Sequence, residues 1–139
     1  MNDKEKKSKV LAFLRAQMLG VVSTIGHQNP ESAVVAFGET ENLELYFGTS
    51  NNSRKYKNIK NNPHIAFVIG WDDDVHISIQ YEGIARELST EEAKHYIEAF
   101  ALKNPKTIKF KSYPDQRYFL ITPSWIRYTS KEGDFELAD

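Results

Sequence analysis

Residues 47–63 read FGTSNNSRKYKNIKNNP, and this stretch decides how the rest of the chain is interpreted. It runs from an apolar strand through a Thr/Ser/Asn-rich loop into a short predicted helix that begins at Ser53. A helix start offers free backbone N–H groups and the positive end of the helix dipole. Arg54 can hold a phosphate through two hydrogen bonds, and Lys55 adds a compact positive charge. With the hydroxyls of Thr49 and Ser53 as further donors, the pattern predicts a site for one phosphate monoester.

The same residues also have a plainer interpretation, which the residue pattern taken alone favours. Arg54, Lys55, Lys57 and Lys60 can simply keep a short helix solvated, and Ser53 can serve only as its cap. A nucleic-acid site would use the same cations. However, a chain with 18 Lys+Arg and 19 Asp+Glu has a net charge of -1 and no wider basic face. Nucleic acid is therefore not among the expected partners.

The sequence on either side alternates between short β-branched runs and turn residues. Residues 21–25, 32–37 and 43–47 are three strands with short links, which is typical of an antiparallel meander. Residues 65–69 are continuously apolar, which predicts a strand buried on both faces. The other predicted elements are a helix over 4–19, a strand over 75–88 with a bulge at Gly83, a helix capped by Ser89, a short helix and loop over 103–115, a strand over 118–129, and a frayed polar tail over 131–139.

Together these elements predict a mainly β (α+β) fold with flanking helices. About six strands, with the helices at the ends and in one insertion, indicate a six-stranded antiparallel barrel that is closed or nearly closed. The strands do not alternate with long crossover helices, so a parallel Rossmann sheet is not expected. A length of 139 residues suits one domain covering the whole chain.

Composition excludes several classes of site and location. There are no cysteines, so disulfides, thiolate chemistry and iron–sulfur ligation are excluded. The four histidines have no metal-ligand spacing, and Asp72-Asp73-Asp74 is typical of a solvated turn, so no metal site is expected. The charged start MNDKEKKSK is unlike a signal peptide, and no apolar run is long enough to cross a membrane. The sequence therefore predicts a cytoplasmic protein with no membrane partner.

Three segments of the chain together resemble one known family. The first is residues 47–63 with the apolar strand that follows. The second is QYEGIAR at residues 80–86 with the capped helix after it, and the third is YFLITPSWIRY at residues 118–128. In this order and spacing they resemble the pyridoxamine 5′-phosphate oxidase-like family of FMN-binding split β-barrels. The resemblance extends from about residue 14 to residue 129.

The resemblance implies a homodimer with two FMN sites at the subunit interface and a small molecule as substrate. One strand would follow the flavin ring and bind it mainly through its backbone, and a loop would hold the ribityl phosphate. Two residues would come from the partner subunit. The cofactor-binding residues implied in this way are Ala33, Val34, Val35, Ala36, Phe37, Gly38, Gly48, Thr49, Ser53, Arg54, Lys55 and Ser78, with Trp125 and Arg127 supplied by the partner.

Some positions depart from the family pattern. In the oxidases themselves, cationic residues stand at the positions of Ala33 and Gly38, and the latter touches the substrate phosphate. Here both residues are small and uncharged. Ser78 replaces a flavin-contacting Gln, and the further Arg and His residues that follow the last strand of the oxidases are not found after Thr129. The resemblance therefore supports the fold and the FMN phosphate site, but not pyridoxamine 5′-phosphate oxidase activity.

Two functions remain open at this point. The resemblance implies an FMN-dependent oxidoreductase in which the cofactor carries the chemistry, since no side chain is an obvious acid or base and no catalytic residue is assigned. The alternative is a non-catalytic binder of FMN or of a haem-type ligand, such as a stress protein of the same fold. Both functions would use the same residues.

Overall fold

The computed structural model describes residues 1–138, which form one antiparallel sheet flanked by helices. None of the described helices is long and apolar enough to cross a membrane. In chain order the elements are α1 (Asp3–Ala16), β1 (Leu19–Ile25), β2 (Pro30–Ala36), β3 (Gly38–Glu39), β4 (Leu45–Ser50), α2 (Arg54–Asn61), β5 (His64–Ile69), β6 (Ser78–Glu87), α3 (Thr90–Lys103), a 3₁₀ helix (Pro105–Ser112), β7 (Gln116–Thr129) and β8 (Phe135–Ala138).

One stretch of chain closes the sheet into a split barrel. The strand order is β2-β1-β5-β6-β7-β4-β3, so β2 and β3 lie at opposite ends of the sheet. The two are separated in sequence only by Phe37, whose N–H donates to the Met18 carbonyl at 3.3 Å. Residues 30–39 therefore pair with β1 at one end and with β4 at the other. The expectation of a closed or nearly closed antiparallel barrel is confirmed.

The predicted meander of three neighbouring strands is wrong in its third member. β1 and β2 pair in register from Leu19 and Ala36 to Ile25 and Pro30, as expected. β4, however, pairs along its whole length with β7 and meets the preceding chain only at Gly38 and Glu39. A short link in sequence favoured a local hairpin, but the apolar strand β7 offers β4 a longer partner inside the core.

The predicted frayed tail is also wrong. Phe135–Ala138 forms strand β8, which pairs with β7 between Trp125 and Tyr128. The Phe135 ring stacks on Tyr128 with 4.8 Å between centroids, and this contact explains why the short strand holds its place. With β8 and the two-residue β3, the described sheet has eight strands rather than the predicted six. Asp139, the last residue of the predicted tail, lies outside the described residues.

The core fills the barrel with alternate residues of each strand. The rings of Phe47, Phe67 and Phe119 meet there, with centroids 5.9–6.0 Å apart in successive pairs. The expectation that residues 65–69 are buried on both faces is wrong for the single chain. Val68 is 43% exposed on the side of β5 that points away from the core. A second, smaller cluster lies beneath α3 and contains Tyr46, Leu88, Ala93, Phe100, Tyr118 and Leu120.

Several local predictions are confirmed. Ser89 caps α3: its hydroxyl accepts a hydrogen bond from the Glu92 N–H at 3.1 Å, and its own N–H donates to the Glu92 carboxylate at 3.0 Å. The register of β6 on β7 shifts between Glu82 and Gly83, which is the predicted bulge.

The predicted end of the first helix is wrong. The helix was expected to reach residue 19, but α1 stops at Ala16 and Leu19 already belongs to β1.

Candidate functional site

The loop after β4 folds around a pair of hydroxyl groups. Thr49 Oγ1 and Ser53 Oγ are 2.9 Å apart, and Ser53 Oγ also accepts a hydrogen bond from the Tyr56 N–H at 3.1 Å. Ser53 is thus the N-cap of α2, as its sequence position predicted. Thr49 is only 7% exposed, so this loop is tied to the barrel. The cap places Arg54 and Lys55 on the first turn of α2, at the rim of the barrel.

Arg54 meets a carboxylate of the same chain. Its guanidinium is ion-paired with Glu31 on β2, whose second oxygen accepts a hydrogen bond from the Asn58 amide at 2.8 Å. The hydrogen bonds from Arg54 and Asn58 lower the pKa of Glu31, and the Glu31 carboxylate in turn raises the pKa of Arg54. Both groups are therefore charged at neutral pH, and the largely exposed Arg54 side chain has one fixed partner on β2.

Two cavities lie along β2, and the positively charged side chain of Lys55 lines both of them. The cationic cavity, of about 250 Å³, is lined by Thr24, Glu31, Ser32, Ala33, Arg54 and Lys55. The aromatic cavity, of about 230 Å³, is lined by Val34, Val35, Ala36, Gly48, Lys55, Phe100, Thr107, Phe110, Gln116 and Tyr118. Lys55 borders both cavities, one of which is lined by charged side chains and the other by aromatic rings.

Two glycines of the predicted site cannot carry a side chain. A Cβ on Gly38 would overlap the ring of Tyr46, which lies flat against this backbone. A Cβ on Gly48 would approach Tyr118 Cε1 to 2.8 Å and would overlap the Gln116 amide. The absence of a cation at Gly38 therefore has a steric cause, because Tyr46 occupies the space that a side chain would need.

The predicted residues fall into two groups in one chain. Ala33, Val34, Arg54 and Lys55 gather along β2, while Phe37 is fully buried and offers only its backbone. The second group lies on β6 and β7, three to four strands away across the sheet, and consists of Ser78, which pairs with Thr129 on β7, together with Trp125 and Arg127.

Trp125 and Arg127 are both held by β8. Trp125 Nε1 donates to Glu136 Oε1 at 2.8 Å, and Arg127 is ion-paired with Glu136 at 2.8 Å and with Asp134 at 3.0 Å. The hydrogen bond from Trp125 is the main cause of a lowered pKa at Glu136, and Arg127 adds to it. The strand that was predicted to be a loose tail thus orders these two side chains.

An outward face of the sheet connects the two groups. Cross-strand pairing aligns Val34, Val21, Val68, Gln80 and Arg127 in one row across β2, β1, β5, β6 and β7. Val34 is 61% exposed and Val68 43%, although both are apolar strand residues. We call this row and its neighbours the outer face. It presents apolar surface in its middle and polar groups at its β6–β7 side.

Sequence reasoning missed several residues that line the site. Glu31 and Asn58 complete the network around Arg54, and Phe110 and Thr107 of the 3₁₀ helix form one wall of the aromatic cavity. The aromatic Phe110 within the otherwise basic stretch KFK was the one available signal for the wall. Among residues 1–138, no three metal-ligating side chains lie close enough together to hold a metal.

The architecture is that of a split β-barrel with a cationic helix start on its rim. A family model described as pyridoxamine 5′-phosphate oxidase matches residues 7–130. The chain belongs to the pyridoxamine 5′-phosphate oxidase family, as the resemblance of its three motifs implied.

The chain is similar in sequence to stress proteins, and it shares its fold with a haem-binding protein. Over 72 residues the chain is 32% identical to general stress protein 26 of Bacillus subtilis, a match covering 52% of this chain and 51%, about half, of that relative. The structure of general stress protein 26 from Bacillus anthracis is 25% identical and covers 96% of this chain and 99% of that one, with a TM-score of 0.78. A haem-binding protein from Mycobacterium smegmatis is 13% identical and covers 99% of this chain and 58% of that one; its TM-score of 0.82 concerns the fold alone.

Proposed function

We propose that this protein binds FMN and acts as an oxidoreductase on a small molecule through the bound flavin. One observation carries the proposal: Lys55 borders both the cationic cavity beside Arg54 and the aromatic cavity along Val34–Ala36. FMN has matching chemistry, with a phosphate dianion at one end and a flat, uncharged ring system at the other. The family to which the chain belongs makes a flavin the first ligand to consider.

The cationic end has the groups that a phosphate requires. Arg54 and Lys55 supply two positive charges, and hydrogen bonds between cations and phosphate oxygens are about twice as strong as neutral ones. The hydroxyls of Ser53 and Thr49 are hydrogen-bonded to each other just before α2, so the pair has one hydroxyl proton left that a phosphate oxygen could accept. Three charged side chains line this cavity. The two positive charges of Arg54 and Lys55 exceed the one negative charge of Glu31, so the net charge is +1. The cationic cavity therefore favours an anion.

The aromatic end suits a flat ring. Phe100 is 4% exposed and Tyr118 7%, so their rings form a fixed wall opposite the β2 backbone. The side chains of Gln116 and Tyr118 fill the space over Gly48, where a Cβ would overlap them. Burial raises the pKa of Tyr118, although its hydrogen bond with Gln116 opposes this, and its hydroxyl stays protonated at neutral pH. Tyr118 and Gln116 are thus neutral hydrogen-bonding groups beside a ring.

The outer face supports the proposal that the protein is a homodimer. Packing the exposed Val34 and Val68 against a second copy would remove their apolar surface from water. An isologous contact across this face would also bring the partner's Trp125 and Arg127 toward the β2 of the first copy. The two groups of predicted residues, separate in one chain, would then form one composite FMN site at the interface.

Chemistry at the proposed site would come from the cofactor. A bound flavin supplies hydride and one-electron transfer, while the protein binds, orients and excludes water. Among the described residues that line the aromatic cavity, the titratable ones are Lys55 and Tyr118. Oxidation of pyridoxamine 5′-phosphate itself is not proposed, because Tyr46 blocks any side chain at Gly38 and Ala33 supplies no charge for a second phosphate.

The test is the identity of the ligand that the protein carries or takes up. We expect protein purified from a flavin-rich host, or soaked with FMN and desalted, to show flavin absorbance. The flavin released on denaturation should have the mass of FMN, and anaerobic NADPH or NADH should bleach the bound spectrum. A protein that stays colourless after exposure to FMN would overturn the binding proposal. A bound flavin that no common donor reduces would overturn the oxidoreductase part only.

A second candidate is a haem-type ligand held without catalysis, because a haem-binding protein from Mycobacterium smegmatis shares the fold. A separate cavity of about 270 Å³ includes His64 among its lining residues, and imidazole is a common haem ligand. Titration with haemin distinguishes the two ligands. A Soret shift that disappears in a His64→Ala variant would favour haem, and a flavin spectrum that His64→Ala leaves unchanged favours FMN.

A further inference from the structure

Glu31 lies beside the cation on which the proposed FMN site depends. One carboxylate oxygen is ion-paired with Arg54, and the other accepts a hydrogen bond from the Asn58 amide at 2.8 Å. Each oxygen therefore has its own partner. The Glu31 side chain is 23% exposed, against 79% for Arg54. The pair joins β2 to the first turn of α2 across the cationic cavity.

A chain of contacts fixes Glu31 on the side away from Arg54. The Asn58 amide nitrogen donates both to Glu31 and to Thr24 Oγ1, the latter at 3.0 Å. Thr24 is 2% exposed in β1, so the network ends in the barrel wall. Glu31 thus has an anchor that does not depend on Arg54. The long and exposed side chain of Arg54 is restrained by Glu31 instead.

We propose that Glu31 is a positioning residue that holds the Arg54 guanidinium in place for the phosphate of bound FMN. The role rests on the proposed function. A guanidinium has five N–H donors in a planar fork, so a carboxylate on one edge leaves the remaining donors for a phosphate. An arginine that is already oriented loses less conformational freedom when the ligand binds.

Charge alone predicts the reverse effect of Glu31 on FMN affinity. Repulsion of the phosphate would weaken binding, whereas positioning of Arg54 strengthens it. A carboxylate near a phosphate dianion repels it, so removing that charge would tighten FMN if repulsion dominated. If positioning dominates, removing the charge weakens FMN. The anchored geometry of Glu31, with both oxygens engaged, favours positioning, and the direction of the change in affinity decides between the two.

The test compares FMN with riboflavin, which lacks the phosphate, by fluorescence titration of the full-length protein. We expect Glu31→Gln to weaken FMN roughly two- to fivefold, the size expected of a partly exposed ion pair, and to leave riboflavin unchanged. In the Arg54→Ala background the same substitution should have no further effect. The matched control is Glu91→Gln, which removes an exposed carboxylate paired with Lys94 on α3.

The outcomes separate this role from the proposed function. Tighter FMN binding in Glu31→Gln, or an equal loss with and without Arg54, would overturn positioning while leaving FMN binding intact. A wild-type protein that takes up neither flavin would overturn the proposed function and the role of Glu31 with it. NMR adds a readout that needs no ligand: the Arg54 Nε–Hε group should be ordered in the wild type and mobile in Glu31→Gln, and equal mobility in both would contradict the proposal.

Discussion

The ring of Tyr46 lies against the backbone of Gly38, so closely that a Cβ at residue 38 would overlap it. This contact joins the two-residue strand β3 to β4 and completes the closure of the barrel. It also fills the space that a side chain at position 38 would need, so no cation can stand at this position of the rim.

Gly38→Ala is expected to destabilise the protein. Overpacking a filled position costs about 1–3 kcal/mol, because the Tyr46 ring must move away from its aromatic neighbours Tyr96 and Phe100. The measurement is the free energy of unfolding in urea. Gly20→Ala is the matched control, since a Cβ there would lie 3.0 Å from Ile69 Cγ1 and 3.2 Å from Phe67 Cδ1, a tight contact without overlap that should cost less. Equal losses at the two glycines would contradict the steric account.

Tyr46 should also make stability fall at alkaline pH. Burial, reinforced by Glu39 and Tyr96, raises the pKa of Tyr46 from 10.0 to about 12. The folded state keeps a proton that the unfolded state has lost, so this stabilisation is complete below pH 10.0 and is lost as the pH rises toward about 12. We expect a steeper alkaline fall in unfolding free energy for the wild type than for Tyr46→Phe. Parallel curves for the two proteins would refute the assignment.

Removing only one partner of the Lys103–Glu39 ion pair is expected to lower the free energy of unfolding strongly. Their side chains are 9% and 12% exposed, and Lys103 Nζ lies 2.5 Å from Glu39 Oε1 and 4.0 Å from the centre of the Phe37 ring. Lys103→Met leaves a buried carboxylate without its cation, which costs about 3–5 kcal/mol. The double variant Lys103→Met/Glu39→Gln should recover most of that loss in chemical denaturation. A double variant as unstable as the single one would show that the pair is not coupled.

The outer face predicts the oligomeric state. Val68→Glu places a charge in the middle of the apolar row, and we expect it to convert a dimer into a monomer in sedimentation experiments. FMN affinity should fall with it, since the partner's Trp125 and Arg127 would be lost from the site. Leu102→Glu is the control, because Leu102 is 87% exposed on α3 and away from this face. A wild-type protein that is monomeric, or a Val68→Glu dimer, would argue against the interface.

Local signals were sufficient for much of the fold, while the site residues that they indicated stay a prediction. The caps at Ser53 and Ser89 and the bulge at Gly83 depend on neighbours within a few residues, and all three are confirmed. The pairing of β4 with β7 joins segments about 70 residues apart and depends on the whole barrel, so sequence proximity gave the wrong neighbour. Strand β8 was missed because its stability comes from Tyr128 and Trp125 rather than from its own composition.

The candidate-site residues that are brought together by tertiary contacts could not be predicted from local sequence either. Arg54 and Lys55 were found because they follow a cap in sequence, whereas Glu31 meets Arg54 only after β2 and α2 have packed side by side. The wall formed by Phe110 and Tyr118 likewise requires the 3₁₀ helix to fold back toward β7. Residues that act through tertiary contacts leave little trace in local periodicity.

The central claim, that the loop and helix start around Arg54 hold the FMN phosphate, is tested most directly by the affinities of FMN and riboflavin for Arg54→Ala. A charge-assisted hydrogen bond is worth about 1.5–3 kcal/mol, so FMN should weaken roughly tenfold to a hundredfold. Riboflavin has no phosphate, and its affinity should stay the same. Equal losses for both ligands, or no loss for FMN, would contradict the account.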